Sequence, residues 1–198
     1  MKKEKNLEYV KSAKAEFNHM TFKDFYNQEI KHKLRQELKL KNVMEVPKIV
    51  KIVVNVGAGE AVSNKTVLEK IQEQIGLITG QKAIITKARK SISAFKIRKG
   101  LPIGVKVTLR DKKMFSFLEK FVKVVVPRFR DFRGIRESSI DQHGNLNLGV
   151  NEQTIFPEID FDKIDKIRGL EITIVTNAKT KEKGKKLFEL LGIQFKKS

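Results

Sequence analysis

In the run IGVKVTLR, residues 103–110, apolar and polar residues alternate without a break. Ile103, Val105, Val107 and Leu109 share one side; Gly104, Lys106, Thr108 and Arg110 share the other. A period of two sends successive side chains to opposite faces of a β-strand. One face therefore packs, and the other, hydroxylic and basic, meets water or a polar ligand. Such a strand belongs in a sheet that is covered on one side only.

The run KIVKIVVNVGAGE carries the same signal. Ile52, Val54 and Val56 form one face and Lys51, Val53 and Asn55 the other, before a glycine turn. GLEITIVTN repeats it, with Leu170, Ile172 and Ile174 against Glu171, Thr173 and Asn177, and QKAIITKA is β-rich with imperfect alternation. Between these runs the apolar spacing changes to three and four, the period of a helix. Phe22, Phe25, Tyr26, Ile30, Leu34 and Leu38 make one stripe, started by the Thr21/Asp24 capping pair and bounded by Pro47. Val67, Leu68, Ile71, Ile75 and Ile78 make a second, closed by Gly80. Met114, Phe115, Leu118, Phe121, Val122 and Val125 make a third, expected to end before Pro127, and Leu187, Phe188, Leu190 and Leu191 a fourth, closed by Gly192.

RFRDFRGIRESSIDQHGNLN is expected to be an exposed, turn-rich loop. Interleaved helices and strands, with basic hairpin-like loops joining strands, predict an α+β fold: a mostly antiparallel sheet with helices on one face and the other face open. Residues 21–198 read as a single domain. Residues 1–20, polar and poor in core residues, read as a basic extension that is flexible or marginally helical.

The chain carries a net charge of +19, far from the mixed-sign balance of an ordinary soluble domain. Such a field favours a polyanionic partner. From Lys82 to Lys113 there are eleven Lys/Arg and one acid, Asp111. Residues 150–173 reverse the balance, with Glu152, Glu158, Asp160, Asp162, Asp165 and Glu171 against Lys163, Lys166 and Arg168. That acidic island is either a solvated loop or a second surface for a different partner.

Enzymatic chemistry has little support. Gly57-x-Gly59 follows a strand and precedes a helix, as in a dinucleotide-binding loop, but Val62 stands where a third glycine belongs. A tight turn needing glycine freedom is the better reading. His19, His32 and His143 lie apart from one another and from carboxylates at metal-ligand spacing, and there is no cysteine. No cofactor, metal or catalytic group is expected. There is no apolar run near 20 residues and no signal-peptide core in MKKEKNLEYVKSAKAEF, so the reading is cytoplasmic, without a membrane role.

RNA binding does explain the basic stretch. Lys and Arg neutralise phosphates, and Thr86, Ser91, Ser93 and Thr108 can donate to phosphate or to ribose 2′-hydroxyls. Gly100, Pro102 and Gly104 allow sharp bending and close approach. Phe95, isolated among cations, either stacks on a base or anchors the loop on the protein's own core.

GQKAIITKARKSISAFKIRKGLPIGVKVTLR, PKIVKIVVNVGAGEA, VPRFRDFRGI and GVNEQTIFPEIDFDKIDKIRGLEITIVTNAKT together resemble the family of the fifth large-subunit ribosomal protein, in its bacterial form. The resemblance runs from about Thr21 to Lys197 and leaves residues 1–20 without a counterpart. It implies an antiparallel sheet backed by helices whose open face holds 5S rRNA in the central protuberance. Asn55, Gln81, Thr108 and Arg110 stand at the matching positions, with Lys106 and Lys51 beside them. The loop from Arg89 to Leu101, carrying Lys90, Ser91, Ser93, Phe95, Lys96, Arg98 and Lys99, resembles the segment that reaches the elbow of peptidyl-site tRNA. Arg128, Arg130 and Arg133 fall in a segment similar to ones lying near large-subunit rRNA. Glu158, Asp160, Asp162 and Asp165 fall where the family faces a basic protein of the small-subunit head across an inter-subunit bridge.

Overall fold

The computed structural model describes residues 21–62, 64, 66–129, 134–161 and 164–196. The extension 1–20 and the side chains of Arg130, Arg133 and Asp162 lie outside the described residues.

Five strands form one sheet in the order β2-β3-β1-β5-β4, with every neighbouring pair antiparallel. They are β1 (Ile49–Gly57), β2 (Ile84–Lys87), β3 (Pro102–Leu109), β4 (Leu146–Val150) and β5 (Leu170–Thr176). Register aligns the apolar sets: Val54 lies opposite both Val107 and Ile172, and Ile52 opposite both Leu109 and Ile174. These side chains are at most 2% exposed. Among the described residues, helices cover this face alone, as the alternation predicts.

The first helix, α1, runs without interruption through Phe22–Phe25, a wide turn at Tyr26–Ile30, and Lys31–Glu37. Thr21 caps it by accepting from the Asp24 amide at 3.3 Å. It stops well before Pro47, because Lys39 turns left-handed at φ 50° and carries the chain out of the helix. Tyr26 packs its ring 5.6 Å from Phe115 and donates to the Pro47 carbonyl at 3.1 Å. Burial pushes its hydroxyl up to about 12. Helix α2 (Thr66–Thr79) buries the predicted stripe, and Gly80 closes it at φ 63°.

Helix α3 comprises Asp111–Lys120, a wide turn at Phe121–Val125, and Val126–Arg128. It continues through Pro127, contrary to the sequence expectation. The amide of Val126 bonds back to the carbonyl of Phe121, five residues earlier, so the helix has already widened where the proline ring arrives. Helix α4 (Lys181–Leu190) is capped by Thr180, and Gly192 turns the chain at φ 91°.

Two further expectations need correction. Leu146–Val150, whose first two residues were assigned to the turn-rich loop, is an edge strand, with Leu146 and Leu148 opposite Ile174 and Ile172. Asn177 lies past the end of β5, where its side-chain carbonyl accepts from the Lys48 amide at 2.6 Å instead of facing the open surface.

Candidate nucleic-acid interface

The uncovered face is a grid fixed by strand register. One row runs Ile84, Lys106, Asn55, Glu171, Gly149; the next runs Thr108, Val53, Thr173, Asn147. None of these residues is buried. Lys51 is half-buried opposite Val175 and belongs to the same face. The cations stand on β1 and β3, and Glu171 puts a carboxylate on β5, so the face is basic on one half and not on the other.

Gln81 joins this grid from outside the strands. Gly80 reverses the chain at the end of α2, and the Gln81 amide then donates to the Thr108 carbonyl at 3.1 Å. Arg110 is exposed and extended, with φ −138°, immediately before helix α3. Asp111, the single acid of the basic stretch, follows it at φ 49°, a left-handed conformation that aspartate tolerates better than most residues. Its place in the first turn also suits the positive end of the helix dipole. Asn55, Gln81, Thr108 and Arg110, from three separate segments, thus lie along the β1–β3 face with Lys106 and Lys51.

Some of the basic stretch is structural. Lys113 donates to the Gly80 carbonyl at 3.0 Å and Lys120 to the Ile78 carbonyl at 2.5 Å, so two α3 cations satisfy the last carbonyls of α2. No local sequence signal marks these bonds, which span 33 and 42 residues. The glycines of GAGE act differently from expectation. Neither Gly57 nor Gly59 has a positive φ, and a Cβ at either would meet nothing within 4 Å. Gly104 is the glycine that a close approach requires: a Cβ there would lie 2.8 Å from the Val56 carbonyl oxygen and 2.9 Å from Thr86 Oγ1.

The loop between β2 and β3 is a self-braced finger. At its base, the Ala88 amide donates to the Leu101 carbonyl at 2.8 Å and the Gly100 amide to the Ala88 carbonyl at 2.9 Å. Midway, Ile92 and Ile97 exchange backbone bonds of 2.8 and 3.1 Å, and the Lys99 amide donates to Ser91 Oγ at 2.9 Å. Left-handed turns at Lys96 and Gly100 reverse the chain. Arg89, Lys90, Ser91, Ser93, Lys96, Arg98 and Lys99 are all exposed. Phe95 is 69% exposed, which removes the reading of a ring folded back onto the core.

Arg128, at the end of α3, is exposed, with a guanidinium nitrogen 3.5 Å from the Ile155 carbonyl. The acidic island is stitched into the fold more than its composition suggested. Glu158 pairs with Lys120 at 2.5 Å. Asp165 takes two bonds from Arg168, at 2.8 and 3.2 Å, and lies 3.7 Å from Lys70. Arg168, its side chain 8% exposed, also lies 3.7 Å from Glu60, which pairs with Lys166 as well. Asp160 is exposed. Sequence reasoning had counted Arg168 only as a neutralising charge.

Arg168's hydrogen bonds hold the Asp165 carboxyl down at about 2, against the opposing effect of its partial burial. A depressed folded-state value means that the contribution of Asp165 is fully present above its ordinary 3.8 and disappears as pH falls through about 2. Urea denaturation at several pH values is expected to show D165N less stable than the parent at pH 7, with the difference shrinking below pH 4. A constant difference down to pH 2 would refute this assignment.

No helix among the described residues is long and apolar enough to cross a membrane. A family model described as "Ribosomal protein L5" matches residues 42–98, and a second model, for the C-terminus of the same ribosomal protein family, matches residues 102–195. β3 and β5, from the second match, flank β1 from the first, so one sheet spans both. The chain is 54% identical over 179 residues to the large ribosomal subunit protein uL5 of Prochlorococcus marinus (strain AS9601), covering 90% of this chain and 100% of that one. It is 54% identical over 173 residues to uL5 of Citrifermentans bemidjiense, covering 87% and 97%, and 51% identical over 174 residues to uL5 of Trichlorobacter lovleyi, covering 88% and 97%. With both family models matched in order across an α+β sheet, this chain belongs to the ribosomal protein L5 family, structural RNA-binding components of the large ribosomal subunit and not enzymes.

Proposed function

We propose that the open sheet face holds 5S rRNA and helps to anchor it in the central protuberance. Asn55, Gln81, Thr108 and Arg110, with Lys106 and Lys51, make the contact, and residues 21–198 act as one RNA-binding domain to which 1–20 is an added arm. The observation that carries this reading is the uncovered β1–β3 face, on which amide, hydroxyl and cationic groups from separate segments share one register grid. Phosphates take the cations, while Thr108 and the amides suit ribose hydroxyls and base edges. Glu171 repels phosphate and limits the footprint to the basic half.

The finger contacts the elbow of peptidyl-site tRNA, its cations on the backbone and Phe95 against a sugar or base. Arg128 lies beside large-subunit rRNA, with Arg130 and Arg133. The acidic loop bearing Glu158, Asp160, Asp162 and Asp165 meets a basic small-subunit head protein, where complementary charge favours a contact that re-forms quickly.

Replacing Lys96, Arg98 and Lys99 with alanine separates these roles. Affinity for 5S rRNA in a filter-binding assay is expected to stay within about twofold, since the three exposed side chains lie off the sheet face and surface changes of this kind are small. Ribosomes carrying the variant are expected to release peptidyl-site tRNA faster. Loss of 5S rRNA binding by this variant would overturn the division of labour.

A further inference from the structure

Ile84, on the edge strand β2, is 70% exposed. Strand parity fixes where its side chain goes. Ile85, opposite Val105, packs against the core, so Ile84, opposite Lys106, stands on the uncovered face. Its neighbours there are Thr86 along β2 and Gly104, Lys106 and Thr108 on β3, and none is a large apolar residue that could shelter it. The strand is also held in place. Gln72 of α2 donates to the Ala83 carbonyl at 2.5 Å, and residues 84–86 are laddered to β3. One aliphatic side chain on a surface is ordinary, but an outward position on an edge strand is where charge normally stands. This isoleucine lies instead beside the amide, hydroxyl and cationic groups of the sheet face, with Gln81 bonded to Thr108 on its flank.

Charge selects the occupant. Lys82, Lys87 and Lys106 are exposed around Ile84, and no acid occurs from Lys82 to Arg110. Such surroundings gather a polyanion. Isoleucine itself offers nothing to a phosphate or a hydroxyl. A paired RNA helix keeps its base faces stacked and presents edges, 2′-hydroxyls and phosphates, whereas an unpaired nucleotide can turn the flat face of its base outward. Directly opposite residues in an antiparallel pair have Cβ atoms about 5 Å apart, so one nucleotide can reach both Ile84 and Lys106. We propose that Ile84 packs against an unpaired base of the bound RNA while Lys106 holds the phosphate of the same nucleotide, so that this side chain selects looped RNA over duplex. The proposal rests on the sheet-face reading of 5S rRNA binding and adds to it a contact that salt does not weaken.

Filter binding over a salt series, with the full chain, compares the parent, Ile84→Ser and Ile84→Met on 5S rRNA and on a fully paired RNA duplex of similar length. Ile84→Ser is expected to bind 5S rRNA roughly tenfold more weakly at unchanged salt slope, in keeping with loss of most of one buried aliphatic contact. Ile84→Met, which keeps the apolar bulk, is expected to stay within about twofold of the parent. Neither variant should change duplex binding. With p-benzoylphenylalanine at position 84, irradiation of the 5S rRNA complex is expected to crosslink an unpaired nucleotide. Unchanged 5S rRNA affinity with Ile84→Ser, an equal loss on the duplex, a shallower salt slope, or a crosslink confined to paired nucleotides overturns the assignment of Ile84 and leaves the sheet-face reading standing. A parent protein that does not prefer 5S rRNA to the duplex overturns both.

Discussion

Alanine at both Thr108 and Arg110 is expected to weaken 5S rRNA binding by about 100-fold, from about 2 kcal/mol for the charged contact and about 1 kcal/mol for the hydroxyl. Both side chains stand on or beside the open face, Thr108 half-buried and Arg110 exposed, and the apolar neighbours of Thr108 in β3, Val107 and Leu109, carry the packing. The melting temperature should therefore hardly move. Salt supplies an independent check. Removing one phosphate contact should make the slope of log affinity against log salt shallower by about 0.7 to 0.9. The hydroxyl contributes nothing to that slope, so the Thr108→Ala single variant should lose affinity at unchanged slope. Undiminished affinity of the double variant, measured by filter binding over a salt series, would rule out this face as the 5S rRNA site.

The largest effect on stability is expected where two glycines touch. Gly184, in α4, approaches Gly144 so closely that a Cβ at 184 would lie 2.6 Å from both the Gly144 Cα and its carbonyl oxygen. Those are backbone atoms, so no rotamer change can relieve the clash. Gly144 is itself at φ 81°, and its carbonyl accepts from the Thr176 hydroxyl at 2.8 Å. A shift there would disturb α4, the turn into β4 and the end of β5 together. Gly184→Val is expected to cost roughly 3 kcal/mol, lowering the melting temperature by about 6 to 12 °C. Gly57→Ala, where a Cβ meets nothing within 4 Å, is the matched control and should leave the melting temperature nearly unchanged. Equal effects from the two substitutions in a thermal melt would contradict the contact.

Local patterns carried most of the fold. The alternation in residues 103–110 and the three-and-four spacing in residues 67–78 each reflect a single element burying one side, which needs no knowledge of the partner element. Leu146–Val150 escaped because five residues with a glycine and an asparagine give too short an alternation to stand out from the turns before it. The run through Pro127 escaped because helix widening depends on the packing of Phe121 and Val125, both at most 1% exposed, and not on propensity. At the interface, Asn55, Thr108 and Arg110 were legible from strand parity. The bond that holds Gln81 beside Thr108 was not, since it spans 27 residues and exists only once β3 is in place. The internal pairing of the acidic loop was not legible for the same reason: composition counts Asp165 and Arg168 separately, and only tertiary structure shows them closed on each other and on Glu60.

The sheet order has a consequence for how the chain is made. β1 has β3 on one side and β5 on the other, and Ile49 pairs with Thr176. During synthesis one margin of β1 therefore stays unsatisfied until residues 170–176 have emerged, with Val54 and Ile52 awaiting Ile172 and Ile174. Contacts so distant along the chain close slowly, and a bare strand margin is a template for pairing with other nascent chains. A protein made in step with its RNA would gain from meeting that RNA only after β5 has docked, because β5 completes the hydrogen bonding of the strand that carries Asn55.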